Sequence, residues 1–169
     1  MKYFFAGALL PLFLVSCDLT KDPDVDGTAV EKMAGEFYVQ FFLDGEEFDA
    51  TYYHLYVYNT SANESDKLWI DAGEAWPFKI KANCNLADLS FPFTPQTYNP
   101  LFFDATGVED STTILDGKIL LGAATTPAGN TSDSIYINFE STGIEAFELP
   151  RGTYTMAGFR ITGFLEDVQ

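Results

Sequence analysis

Cations are scarce in this sequence. Nine Lys and Arg stand against 25 Asp and Glu in 169 residues, a formal net charge of −16. A phosphate backbone repels such a chain, so no nucleic-acid partner is expected. Anionic lipid head groups offer no attraction either, and any hold on a membrane has to come from inserted acyl chains. The acidity itself reads most simply as a solubility device. Cysteine is rarer still, with Cys17 and Cys84 only, and His54 is the single histidine. There is no H-x-x-x-H or C-x-x-C, which excludes the common zinc sets, so no metal is expected. A glycine-rich phosphate loop and a G-x-S-x-G elbow are also missing, and no cofactor is implied. A serine or cysteine hydrolase needs a base beside its nucleophile, and His54 would have to be that base. Carboxylates are numerous, which leaves an acid/base pair open, but no two of them stand out. The inventory leans against an enzyme.

Long apolar runs are missing too, apart from one. Tyr3 to Val15 is a 13-residue apolar stretch behind Lys2, too short to span a bilayer and not followed by a stop-transfer segment. It ends in Leu14-Val15-Ser16-Cys17, which has the form of a lipobox, where bacterial lipoproteins are acylated on the Cys thiol and cut just before it. Residues 1–16 are therefore expected to be a signal peptide. Cys17 is expected to carry acyl chains such as palmitate, more than one being needed for stable anchoring. That places the protein as an outer membrane lipoprotein, on the periplasmic side or the cell surface. Cys84 is then left alone and cannot form an internal disulfide.

Residues 17–33 read as an acidic tether. Asp22, Asp24, Asp26 and Gly27 match the first half of an EF-hand loop, but its twelfth position is Met33 where a bidentate Glu belongs. A solvated spacer, or an acidic sorting signal toward the cell surface, suits the segment better. From residue 34 to 169 the chain has the length of one domain that can build a core without staples.

In that domain, 16 Phe and 9 Tyr lie in short alternating runs broken by Asn, Ser, Gly and Pro. Asp44-Gly45 joins two such runs and predicts a two-residue hairpin with φ > 0 at both residues. Asp116-Gly117 repeats the signal between residues 113–115 and 118–121. Further strands are expected over 67–72, 78–84, 87–92, 98–103, 133–140 and 153–162. No helical face is convincing after residue 34. Eight or nine locally connected strands predict an all-β, antiparallel, up-and-down barrel, favoured over a sandwich because closure removes sheet edges.

A tight turn at Asp44-Gly45 sets Phe41 opposite Phe48, Val39 opposite Ala50 and Phe37 opposite Tyr52. Phe37, Phe41 and Phe48 then look inward and, if the register runs on unbroken, Tyr52, His54 and Tyr56 line the interior. Their polar tips would need a ligand or water, which makes these six a candidate ligand-binding set. A β-bulge near Tyr52 would flip the parity and send Tyr53, Leu55 and Val57 inward instead. Elsewhere Phe78, Ile80, Ala82 and Cys84 share a face against Lys79, Lys81 and Asn83. Ile135, Ile137 and Phe139 point in, with Tyr136 and Asn138 out. Cys84 is expected to be a small buried hydrophobe.

The run from Gly117 to Glu140, with Ala34–Val39, Lys67–Asp71 and Gly158–Asp167, resembles the family of lipid-binding putative hydrolases, small lipoproteins of gut Gram-negative bacteria. The resemblance covers nearly the whole domain. It implies a calycin-like, eight-stranded barrel able to hold an apolar ligand, and carries no catalytic residues to this chain. Gly35-Glu36-Phe37 is similar to the Gly-x-Trp of lipocalins, and Arg160 stands where they place an Arg over that Trp. If Arg160 covers Phe37, the pair closes the barrel base and is structural. The expected function is that of a monomeric, membrane-anchored lipoprotein whose barrel binds a small apolar or amphipathic, lipid-like ligand. The alternatives are a surface interaction protein with a filled barrel and, less favoured, a hydrolase.

Overall fold

In the computed structural model, the alternating runs become eight antiparallel strands. They are β1 (Gly35–Leu43), β2 (Glu46–Asn59), β3 (Lys67–Asp71), β4 (Lys79–Asn83), β5 (Thr94–Tyr98), β6 (Ser111–Thr125), β7 (Thr131–Ser141) and β8 (Tyr154–Arg160). The described residues are 27–73, 79–98, 111–142 and 149–167. The leader, Cys17, Asp22, Asp24, Asp26 and Phe78 lie outside them, as does the strand expected over 98–103 save its first residue.

The strands pair in the order β4-β3-β2-β1-β8-β7-β6-β5. This is an up-and-down meander in which β1 and β8 join the two ends of the chain, giving a nearly closed barrel of all-β class. Its two free edges, β4 and β5, face each other without a ladder. They are stitched by side chains: Asn83 N donates to Thr94 Oγ1 at 2.8 Å, and Asn83 Nδ2 donates to the Phe93 carbonyl at 2.8 Å.

Among the described residues the interior is filled by side chains. Phe37, Leu55, Leu68, Ile70, Ile80, Phe91, Ile114, Ile137, Phe139 and Tyr154 are fully buried in one cluster. Val30 and Met33 belong to it as well, held by a turn in which the Met33 and Ala34 amides donate to the Val30 carbonyl. The chain thus enters the fold before β1 begins. The inward faces of β4 (Ile80, Ala82) and β7 (Ile135, Ile137, Phe139) are those that alternation predicts.

The first hairpin turns where expected. Leu43 pairs with Glu46, and Asp44 and Gly45 take φ of 49° and 87°. The register beyond it does not run on. Phe42 pairs with Glu47 and Val39 with Tyr53, so three steps along β1 are matched by six along β2. The surplus of three is odd, so it reverses which face of β2 looks inward. Phe37 pairs with Leu55, not Tyr52, and Leu55 and Val57 enter the core. Ala50 is exposed. The bulge holds because its loose backbone groups find side chains. Asp49 Oδ1 accepts from the Thr51 amide at 2.8 Å, and Gln40 Nε2 donates to the Ala50 carbonyl at 2.6 Å.

Asp116-Gly117 is not a turn. β6 continues through it after a bulge between Ile114 and Asp116, pairing Asp116 with Asn138 and Gly117 with Ile137. The glycine serves close approach: a Cβ there would lie 2.7 Å from the Tyr136 carbonyl oxygen and 3.1 Å from the Phe91 ring. Residues 87–92 form a turn rather than a strand, tied by single bridges from Ser90 to Asn85 and Lys118, and it drives Phe91 into the core.

Candidate functional site

Opposite faces of β3 and β4 have opposite chemistry. Leu68, Ile70, Ile80 and Ala82 fill the barrel, so period-two alternation turns Lys67, Trp69, Lys79, Lys81 and Asn83 outward. Cross-strand pairing sets Lys67 against Asn83, Trp69 against Lys81 and Asp71 against Lys79. Three of the nine cations in the chain therefore gather around one indole. The Lys79 and Lys81 ammonium groups stand 5.5 and 6.0 Å from the Trp69 ring centroid, within cation–π range.

Beside Trp69 runs the unpaired seam. A groove of about 490 Å³ opens there, lined by Lys67 and Trp69 of β3, Lys81 and Asn83 of β4, and Pro95 and Thr97 of β5. Trp69 and Pro95 give it an apolar surface, and Lys67 and Lys81 add positive charge to its lining. Lys79 is engaged by Asp71 at 3.3 Å and lies over the Tyr58 ring. Its pKa is raised, chiefly through its contact with the Tyr58 hydroxyl and also through Asp71. Lys81 meets Glu64 at 3.7 Å with both groups well exposed, and Lys67 donates to Asn83 Oδ1, a neutral acceptor.

The six residues expected to bind ligand do not form one pocket. Phe37 and Phe41 are core residues, and Phe48 sits edge-on to Tyr154 at 5.6 Å with 39% of its surface exposed. Tyr52, His54 and Tyr56 do not line the interior, because the β2 bulge turns them outward. There they join Tyr38 of β1 and Phe159 of β8: Tyr38 pairs across the sheet with both His54 and Phe159, and the rings meet edge-on at 4.7 and 5.9 Å. Tyr52 packs on Phe159 at 5.6 Å, and His54 stacks on Tyr56 at 5.9 Å. His54 Nδ1 lies 2.5 Å from Glu36 Oε1. Among the described residues no serine, threonine or cysteine is hydrogen-bonded to this His–Glu pair.

Arg160 lies over Phe37, its guanidinium carbon 4.7 Å from the ring centroid. It also donates to the Ala34 carbonyl at 2.6 Å and to Asp133 at 2.9 Å. A Cβ on Gly35 would stand 1.9 Å from the Arg160 Nη1, so only glycine leaves room for the guanidinium. Cys84 is buried, and burial is the chief reason that its thiol is pushed up to about 11.

Trp69 and its lysines were legible as one face of β3 and β4 by alternation. What alternation cannot show is that β5 stops short of pairing with β4, and that gap is what makes the face a groove.

Compared with models of protein families, residues 22–165 match the one described as lipid-binding putative hydrolase. No curated protein matched the chain.

Proposed function

The chain belongs to the lipid-binding putative hydrolase family, and from that premise we propose that it is a lipid-anchored outer membrane protein that binds a small apolar or amphipathic ligand outside its barrel, in the groove on Trp69. The observation that carries this reading is the groove itself. Among the described residues the interior is taken up by side chains such as Phe37, Phe91, Phe139 and Tyr154, whereas the seam offers about 490 Å³ lined in part by an indole. Small-molecule sites are concave, mainly apolar and fitted with a few polar groups, which describes the seam and not the packed core. The anchor would be the acylated Cys17, on either the periplasmic or the outer side of the membrane.

Native mass spectrometry tests the ligand. The processed protein, with Cys17→Ser to keep it unacylated, is incubated with a bacterial lipid extract. The expected result is a discrete added mass that disappears in Trp69→Ala and persists in Tyr52→Ala. Loss with Tyr52→Ala alone would move the site to the outer aromatic cluster. No added mass would remove the binding function. The anchor is tested separately: Cys17→Ala is expected to abolish labelling by palmitate and release the protein from the membrane fraction. Labelling that survives the substitution would remove the anchor.

A second reading rests on Tyr38, Tyr52, His54, Tyr56 and Phe159. An aromatic cluster on the outside of a filled barrel suits a non-catalytic surface protein that presents this face to a partner. A protein partner lost on Tyr52→Ala, with no lipid mass in the first experiment, would favour it.

A further inference from the structure

Resting on the seam groove as the ligand site, we infer that its ligand is an amphipathic anion: an apolar chain lying on Trp69 and Pro95, with a carboxylate or phosphate head held between Lys67 and Lys81. Charge carries the inference. The chain as a whole is strongly acidic, at −16, yet two of its nine cations, Lys67 and Lys81, line this one groove, and a third, Lys79, stands over Trp69 beside it. Their counter-charges do not fill it. Asp71 engages Lys79, at the far end of the row. Glu64 reaches only Lys81, at 3.7 Å and between exposed groups that water screens well. Lys67 has the neutral Asn83 Oδ1 as its acceptor.

The cross-strand register places the two lysines to act on one head group. Lys81 stands directly opposite Trp69, and Lys67 stands two residues before Trp69 on the same outer face. A head group at this corner would meet two ammonium groups while its chain ran along the indole toward Pro95 on β5. A neutral amphiphile would gain the same apolar contact and leave the lysines unmatched. The surrounding acidity adds selectivity, since an anion away from this corner is repelled.

Titration calorimetry on the processed Cys17→Ser protein tests this with three ligands of one chain length: dodecanoate, dodecyl phosphate and dodecanol. At low ionic strength the better of the two anions is expected to bind at least about tenfold more tightly than dodecanol, with the difference shrinking as salt is added. The double substitution Lys67→Gln/Lys81→Gln is expected to remove most of that difference by weakening the anions far more than dodecanol. Trp69→Ala is expected to weaken all three. Which anion binds better distinguishes a fatty-acid source from a phospholipid-like one. Equal binding of dodecanol and both anions, or an anion preference that survives the double substitution, would overturn the inference and leave the lipid-binding reading standing. Binding of none of the three would overturn both.

Discussion

Asp167 shows how much one side chain can hold together. It closes the 3₁₀ turn Leu165–Asp167 and is almost fully buried. Burial alone would push its carboxyl up. Hydrogen bonds from Thr126, Thr162, Asn130 and the Ala128 amide outweigh burial and bring it down to about 2, from the usual 3.8. Its carboxylate thereby ties the segment after β8 to the β6–β7 turn. A folded pKa below the unfolded one means stability that is present above about pH 4 and lost as pH falls through about 2. Asp167→Asn is expected to lower the urea midpoint at pH 7, and the gap from the parent protein should close between about pH 4 and 2. A gap that stayed constant over that range would mean that the carboxylate charge is not what holds the turn. Most of these partners are not apparent from the sequence, because Thr126, Ala128 and Asn130 lie about 40 residues before Asp167.

Among the elements, β2 carries the clearest lesson. Its sequence alternates cleanly on both sides of residues 49–52, and either parity puts plausible residues inside. Asp49 and Gln40 decide between them by satisfying the bulge backbone. The β1–β8 junction was more legible, since Gly35, Phe37 and Arg160 stood out as a set. Arg160 contributes a cation–π contact, a carbonyl hydrogen bond and a half-buried ion pair. Arg160→Ala is expected to cost about 2 kcal/mol of stability, measured by urea unfolding. Arg160→Lys should recover only part of it, because an ammonium lacks the planar fork that reaches Asp133 and Ala34 together. Amphiphile binding at Trp69 should survive both, which would separate a structural role for Arg160 from a ligand-binding one.

At the scale of the molecule the barrel is uneven. β1 is hydrogen-bonded on both sides, to β2 and β8, while β4 and β5 each have one ladder and face a gap. Backbone amides exposed at a sheet edge open at little cost. Hydrogen exchange is therefore expected to be slowest in β1, β7 and β8 and fastest in β4 and β5. Binding of an amphiphile in the groove should slow exchange in β4 and β5 more than elsewhere. Uniform protection around the barrel would argue against an open seam.

The sequence by itself determined what depends on near neighbours. Period-two alternation made the domain all-β and assigned the inward faces of β4 and β7, and Asp44-Gly45 placed the first turn. Local connection of each strand to the next made the meander. Only the tertiary structure decided which side of β2 faces inward, that Gly117 lies in a strand against Phe91, and that β4 and β5 do not pair. Those outcomes depend on backbone groups finding side-chain partners and on close approach between strands far apart in sequence. The groove on Trp69 exists because of that last outcome: its residues come from β3, β4 and β5, and the missing ladder is what leaves space between them.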